Sequence, residues 1–452
     1  MQILNRRHSA YEVIPIVAKA PSRTLIVAQQ SAQPAASWFD ACQILQLSLL
    51  MIAPLAFGAV QPWAWGALIV GAVALLLLWG LASIGAGKVT LVRSPLYLPM
   101  LGVFALAAVQ LAFGLSMDRV GTREALLKLA GYAVLFFVSQ QLYASASAGT
   151  WRFMAAAVAV YLFLMSLFAI IQFFATPGLL YGAIHAESES VFGPYVNRGN
   201  YAGLMEMLIP IVVCFALSLR WRHPAKPFLL FVVFLALVSV SLSGSRAGLI
   251  SLAVEFGMVG VLVLAGGIDH KRVLVTGILI AVLAGGFFYW LDPGDVLGRW
   301  KQVASQPELA LGNRQKIALD SLHMSRDHLL HGVGLGAFQV GYTPYQSVVT
   351  DLTIDYAHND YVQFLAEAGI WGWILLPAAL VLFFLGSFRG LRARHLSHTR
   401  WLQLGAAIGV CGILVHSFSE FNLHIPANAA WFTFLAAVAT LPKTAASASS
   451  DS

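Results

Sequence analysis

Charged side chains are what this chain has least of: Asp, Glu, Lys and Arg make up 10% of its 452 residues, and 59% are hydrophobic. A soluble domain carries roughly 25% charge. The shortage excludes a water-solvated globule of this length, and the composition is that of a polytopic membrane protein. Cysteine is scarce too. Cys42, Cys214 and Cys411 all fall inside apolar runs, with no Cys-x-x-Cys spacing. That excludes a disulfide framework and a thiolate metal site, and leaves three small packing residues. Internal repeats are missing, which excludes a solenoid. Paired broken helices in two halves, the sequence pointer to an inverted-repeat transporter, are missing as well. Residues 1–36 are polar and mixed except for the short apolar patch 13–18, too weak for a signal-peptide core. The first span is therefore expected to be an uncleaved anchor.

What the chain does have is apolar length. Runs near the ~20 residues that cross a bilayer lie at 41–60, 63–84, 96–115, 125–143, 151–174, 200–219, 226–243, 247–266, 272–291, 361–388, 401–420 and 427–441, twelve in all. His416 and Glu420 interrupt the eleventh, and the twelfth is short. The formal net charge is +7, but the basic residues are spread among the connections and not gathered on a soluble surface, so nucleic acid is not implied as a partner. An even number of spans puts both termini on one side. If that side is cytoplasmic, the inner segments hold 17 of the 27 Lys and Arg residues, and five more lie in the long segment 292–360. The short outer loops keep only Arg119, Arg123, Lys128, Arg198 and Arg246. Short loops set orientation through their Lys and Arg content, while long ones translocate largely regardless of charge. The bias therefore favours cytoplasmic termini.

The expected fold class is all-α: a polytopic membrane helical bundle of about twelve transmembrane helices with one large outer loop. Segment 1–40 is a cytoplasmic N-terminal piece, 41–291 holds helices one to nine, and 292–360 is the loop. Helices ten to twelve occupy 361–441, and 442–452 is a disordered cytoplasmic tail rich in Ser and Ala. Within the loop, Asn313 is placed to cap a helix running to about Leu330, with Ile317, Leu322 and Leu329 or Leu330 as its apolar face. That helix is expected at the outer membrane–water boundary.

The stretch 332–372 carries the most chemistry. A Gly-rich turn and a polar segment lead through Ala357, His358, Asn359, Asp360 and Tyr361 straight into an apolar helix. An imidazole thus stands at the mouth of a span, where water and a lipid-borne substrate meet. A lone interfacial histidine more often only snorkels. His358 has company. Arg198, which follows Phe192-Gly193-Pro194-Tyr195-Val196-Asn197, and Arg246, in the tight Ser243-Gly244-Ser245-Arg246-Ala247-Gly248 connection, head two other spans on the same side. Arginine suits a diphosphate because its planar fork pairs bidentately with phosphate oxygens and does not deprotonate. The plainer alternative is pairing with lipid headgroups or with an acidic neighbour such as Glu206 or Glu255. Ionisable groups at membrane depth are costly, so Glu206, Glu255, Glu367, His416 and Glu420 need an account. A buried polar network is the preferred one for Glu206 and Glu255. His416 and Glu420, four apart, would share a helix face. Asn422 and His424 fall on the outer side near His358 and are further site candidates.

The glycines of 332–338 do not make a nucleotide loop, since the preceding strand and the Gly-Lys-Ser/Thr ending are absent. Asp351, Asp355 and Asp360 could hold a hard cation. With no Asp-x-Asp pair they are read as solvating the loop, and neither metal nor cofactor is expected.

Gly312-Asn313-Arg314 with Leu319-Asp320-Ser321, then His331-Gly332-Val333-Gly334-Leu335-Gly336-Ala337-Phe338, then His358-Asn359-Asp360-Tyr361 with Leu365-Ala366-Glu367-Ala368-Gly369-Ile370 and Gly372, resemble the O-antigen ligase and Wzy-type polymerase superfamily. Gly244-Ser245-Arg246-Ala247-Gly248 matches the start of the same domain. The likeness covers about 240–372; the other spans match only in number and hydrophobicity. Two positions depart from the pattern. Lys316-Ile317-Ala318 stands where members often carry an aromatic, and His331 replaces a frequent proline. Neither touches a proposed catalytic role.

The resemblance implies a C-type-glycosyltransferase-like fold in the bacterial inner membrane with its active site facing the periplasm. It implies an inverting, metal-independent transferase that uses an undecaprenyl-diphosphate-linked glycan. Carried over by position, Arg198 and Arg246 look like the diphosphate clamp and His358 like the base or the residue that orients the acceptor. Arg314 would assist from the loop, and Asn359, Asn422 and His424 complete the candidate substrate contacts. The stretches 196–203 and 421–428 look more like exopolysaccharide polymerases. That favours polymerisation of O-antigen or exopolysaccharide repeat units over ligation to a lipid A core. A flippase or a chain-length regulator would be the expected protein partner. The rival from another class is a polytopic solute transporter, against which count the missing repeat symmetry and the loop-borne His358.

Overall fold

The computed structural model describes residues 23–87, 89, 91–186, 190–265, 270–291, 298, 307–348, 353–389 and 396–442. The helices are α1 (Arg23–Leu55), α2 (Pro62–Gly85), α3 (Tyr97–Ala112), α4 (Arg119–Ala144), α5 (Ala148–Ala175), α6 (Arg198–Ser218), α7 (Lys226–Ser243), α8 (Arg246–Ala265) and α9 (His270–Leu291). They continue as α10 (Pro307–Asp327), α11 (Phe338–Tyr342), α12 (Asp360–Ala368), α13 (Ile370–Ser387), α14 (His398–His416) and α15 (Pro426–Ala439). A two-residue antiparallel pair, β1 (Leu179–Leu180) with β2 (Ile184–His185), closes the loop after α5. Among the described residues, nine helices are long and apolar enough to cross a membrane: α1 over Trp38–Leu55, α2, α4 to α9, and α13. The protein is an all-α, multi-pass membrane bundle.

The three other expected spans are also helices, but shorter or more polar. Helix α3 has 16 residues and α15 has 14. Helix α14 has 19 and carries Arg400 near its start. Three boundaries differ from the sequence reading. Helix α1 is already formed at Arg23, where the described residues begin, and so extends ahead of the apolar run. The run 361–388 is two helices, because Gly369 takes φ 59° and ψ −139° and turns the chain between α12 and α13. Helix α10 covers Pro307–Asp327, so Asn313 lies inside it and caps nothing.

The expected apolar face of α10 is corrected as well. Leu322, Leu329 and Leu330 are exposed, while Ile317, Asp320, Ser321, Met324 and Ser325 are buried. These five follow the helical period, but two are serines, one bonded within its own helix and one to α12. Ser321 Oγ donates to Ile317 O at 2.6 Å and Ser325 Oγ to Leu365 O at 3.3 Å. A face written in small polar residues is invisible to a search for leucines. Asp320 then anchors the chain that follows. It accepts from Tyr342 Oη, Ser347 N and Ser347 Oγ at 2.8–3.0 Å. Burial pushes its carboxyl up, but these donors outweigh burial and hold it below the usual carboxylate range.

At the centre stands α6, most of it buried. Helix α14 approaches it closely because Gly405 and Gly409 face it. A Cβ on Gly405 would lie 2.8 Å from Pro210 O, and one on Gly409 would overlap Met207 O. Small residues four apart let backbones approach where apolar burial gives no drive, as in lipid. This packing fixes where α14 ends, and so fixes the 417–424 segment over the start of α6. The three cysteines are free and buried, as packing residues should be.

Candidate active site

The Gly-rich turn is a structural clamp. Its backbone donors point at the end of α12: Val333 N donates to Ala366 O at 3.0 Å and Gly334 N to Glu367 O at 3.2 Å. These groups supply partners to carbonyls that a helix end leaves open. Gly332, Gly334 and Gly336 all have positive φ. A Cβ on Gly332 would overlap Glu367 O, and one on Gly369 would lie 2.5 Å from Leu329 O. Gln110 of α3 ties the same junction, donating to His331 O and Glu367 O at 2.7 and 2.9 Å and accepting from Leu335 N at 3.0 Å. The turn therefore holds α12, and with it the residue two before its start, His358.

Asn359 caps α12, its Oδ1 accepting from Tyr361 N and Val362 N and its Nδ2 donating to Phe418 O at 3.0 Å. His358 sits in the left-handed region at φ 50°, an uncommon backbone for a non-glycine residue. Its ring meets Phe421 edge-on at 5.0 Å. Its Nδ1 lies 3.6 Å from Glu420 Oε2, and neither atom has a hydrogen-bond partner among the described residues. That gap is longer than a hydrogen bond, but the two atoms are placed to close on one another if the imidazole takes a proton. Glu420's other oxygen accepts from Arg314 Nη2 at 2.7 Å, and Arg314 Nη1 donates to Ser419 O at 3.0 Å. Burial pushes the Glu420 carboxyl up. The facing His358 and the charges of Arg314, His358 and His416 outweigh that and leave it at about 2.

The expected His416–Glu420 pairing is corrected. Helix α14 ends at His416, so the two share no helix face. His416 Nδ1 pairs instead with Glu206 Oε1 of α6 at 2.9 Å, both fully buried. Glu255 is buried, with neither oxygen partnered among the described residues. Asp360 is corrected too, from a loop-solvating residue to a buried hub. It accepts from Ser417 Oγ at 2.7 Å, from Leu423 N at 3.3 Å and from His424 Nδ1 at 2.8 Å. Gln363 Nε2 reaches His424 Nε2 and Glu367 Oε1, both at 3.0 Å, and Glu367 Oε2 accepts from Gly336 N at 2.9 Å. Burial lowers the His424 imidazole, but the Asp360 hydrogen bond and charge raise it above its ordinary value. Asp355 is exposed, and Asp351 lies outside the described residues.

Arg198 and Arg246 are the first residues of α6 and α8. The helices start side by side, since a Cβ on Gly248 would lie 2.8 Å from that of Ala202. Adjacent helix N-termini favour an anion. Next to Arg198, a Cβ on Gly199 would lie 3.1 Å from Glu420 Cδ, so the start of α6 abuts the Arg314–Glu420–His358 group. A cavity of about 360 Å³ opens beside it, lined by Arg198, Gln172, Ser190, Phe192, Leu242 and Ser243. The Ser243–Gly244 turn that leads to Arg246 borders the same space.

The structure thus gathers Arg198, Arg314, His358 and Glu420 at one end of the bundle, with the N-terminus of α8 beside α6. Asn422 is fully buried, its Oδ1 accepting from Asn428 Nδ2 at 3.0 Å. Its Nδ2 is buried with no partner among the described residues, whereas Asn359 is committed to protein contacts and His424 through both ring nitrogens. Gln363 and Gln110 were missed by the sequence reading, and Asp360 was read only as a loop residue. The signal available for Asp360 was its place directly after the Asn359 cap. Among the described residues no group of three or more His, Cys, Asp and Glu could hold a metal ion.

Residues 231–377 match the family model described as O-antigen ligase. No curated protein matches the chain.

Proposed function

We propose that this O-antigen-ligase-type membrane protein is a metal-independent, inverting glycosyltransferase that takes glycan from an undecaprenyl-diphosphate donor at the periplasmic face of a bacterial inner membrane. What carries the reading is the meeting of a half-exposed histidine, a buried carboxylate behind it and arginine-headed helix starts beside it. In this reaction His358 Nε2 accepts the proton of an acceptor hydroxyl while that oxygen attacks the anomeric carbon. The bond from that carbon to the diphosphate oxygen breaks, and the configuration inverts. Charge accumulates on the departing diphosphate, where Arg198 and Arg246 receive it; such stabilisation is commonly the largest contribution to rate. The proton stays on His358, whose Nδ1 faces the Glu420 carboxylate. The carboxylate fixes the ring and stabilises the imidazolium, the role an acidic partner has behind a catalytic histidine. Arg314 holds that carboxylate, and Asn359, Asn422 and His424 position the surrounding backbone.

Polymerisation of O-antigen or exopolysaccharide repeat units is favoured over transfer to a lipid A core, on the likeness of 196–203 and 421–428 to exopolysaccharide polymerases. A flippase or chain-length regulator is the fitting protein partner. The test is purified protein in detergent with undecaprenyl-diphosphate glycan, without nucleotide and with EDTA. Longer glycan from repeat units alone supports the polymerase, and product only when lipid A core is added supports the ligase. Activity that vanishes in EDTA and returns with a divalent ion refutes the arginine mechanism. Solute uptake by reconstituted vesicles, with no glycan transfer, would make the chain a transporter.

A further inference from the structure

At the end of the bundle away from His358 lies a second cavity, of about 410 Å³, whose lining includes Arg93, Arg389, Arg400, Leu96, Leu382 and Leu385. That volume falls in the range of roughly 300–1,000 Å³ typical of small-ligand sites. Among the described residues no acidic side chain lines it. Helix α13 separates the two ends. Its 18 residues span about 27 Å at 1.5 Å per residue, close to the ~30 Å thickness of a bilayer's apolar core. The cavity therefore sits at the opposite membrane–water boundary.

The three arginines are not equivalent. Arg400 is buried and closes the end of α13, its Nη2 donating to Ser387 O at 2.6 Å and Arg389 O at 2.7 Å and its Nη1 to Gln403 Oε1 at 3.2 Å. Its Nε is buried with no partner among the described residues. Closing a helix end accounts for part of Arg400, because a cation there meets the negative end of the helix dipole. It does not account for Arg93 and Arg389, which are exposed and make no ion pair among the described residues. Three cations around one cavity, with no carboxylate among its described lining residues, make a favourable seat for an anion. The rim says which kind. Leu385 is exposed, and the outward face of α13 continues from it through Phe384 and Val381. A bare inorganic anion would leave that apolar path unused, whereas a lipid tail would follow it.

We propose that this cavity binds the phosphate headgroup of an anionic membrane lipid, with its chains lying along the Val381–Phe384–Leu385 face of α13. Basic pockets between transmembrane helices suit such headgroups. The site is separate from the transferase chemistry, and the proposal does not depend on it.

The experiment is native mass spectrometry of the full chain in neutral detergent, titrated with dioleoyl phosphatidylglycerol or dioleoyl phosphatidylcholine. The wild type is expected to retain phosphatidylglycerol preferentially. The Arg93→Gln/Arg389→Gln variant should need about tenfold more of it or greater for equal occupancy. Both side chains are exposed, so its unfolding midpoint in lipid-free detergent should match the wild type. Should it fall, Leu385→Glu, which places a negative charge at the mouth, must weaken the same binding. Millimolar inorganic phosphate should not displace the lipid. Equal retention of the two lipids, unchanged retention by the variants, or displacement by phosphate would each overturn the proposal, the last in favour of a free-anion site.

Discussion

Arg314 and Glu420 meet across 106 residues of sequence, Nη2 to Oε1 at 2.7 Å, the arginine 44% exposed and the carboxylate 6%. The contact joins the loop helix α10 to the turn that leaves α14, and it keeps a negative charge facing His358. If that charge supports the histidine, Glu420→Gln should preserve the shape and lose the effect. Turnover should fall by about 10² or more, while donor affinity stays within about twofold, since orientation of a base acts in the transition state. Single-turnover rates and donor binding would be measured side by side. Unchanged turnover would remove Glu420 from the mechanism.

Glu420 also predicts how stability follows pH. Its carboxyl is held at about 2 against an ordinary 4.5, so between those values the unfolded chain binds the proton and the folded one does not. Stability from this group is therefore fully present above 4.5 and lost as pH falls toward 2. The difference amounts to about 3 kcal/mol at most. Unfolding in detergent followed from pH 6 to pH 3 should be steeper for the wild type than for Glu420→Gln. Parallel curves would mean that the pair contributes no pH dependence.

The helices were legible because apolar runs of bilayer length have few alternative uses, and their ends were less so. Nothing in the run 361–388 distinguishes Gly369 from the glycines that α13 tolerates. Its role appears only where Leu329 O and the Gly332 turn come against it. At the candidate site, Arg198 and Arg246 stand out in the sequence because each heads an apolar span, and His358 because it lies just before a helix start. Glu420's partners could not. Spacing of four argued for His416, and only the end of α14 at His416 reveals that the chain has turned away. Asp360 was misread because a loop aspartate and a buried one look alike until Ser417 and His424 arrive from a distant element.

The glycine clamp gives a folding prediction. Gly332→Ala adds a Cβ that overlaps Glu367 O at a φ of 68°. It should destabilise by about 2 kcal/mol or more, from the left-handed conformation plus the displaced turn. Gly277→Ala in α9, with nothing within 4 Å, should be neutral or slightly stabilising. Thermal unfolding of the two variants in one detergent makes the comparison, and a neutral Gly332→Ala would show that the turn yields freely.

Orientation is open to chemical labelling. Cysteines placed singly at 198 and 358, in a background without the three native ones, should react with a membrane-impermeant maleimide in intact spheroplasts. Those at 222 and 392 should react only after permeabilisation. Labelling of 222 from outside would invert the topology and put the proposed site on the wrong face.

The sharpest test of the clamp is the substitution that keeps charge and loses shape. Arg246 and Arg198 stand at the first positions of neighbouring helices, where a diphosphate would meet two helix N-termini as well as the side chains. If each guanidinium grips phosphate oxygens with its fork, lysine, a point charge with rotating donors, cannot reproduce the geometry. Arg246→Lys should then lose nearly as much activity as Arg246→Ala, on the order of 10² or more per residue, and the same holds for Arg198→Lys. An arginine that only meets lipid headgroups would tolerate lysine, because bulk electrostatic attraction does not depend on the fork. Near-normal glycan production by both lysine variants would therefore refute the clamp while leaving the His358–Glu420 relationship standing.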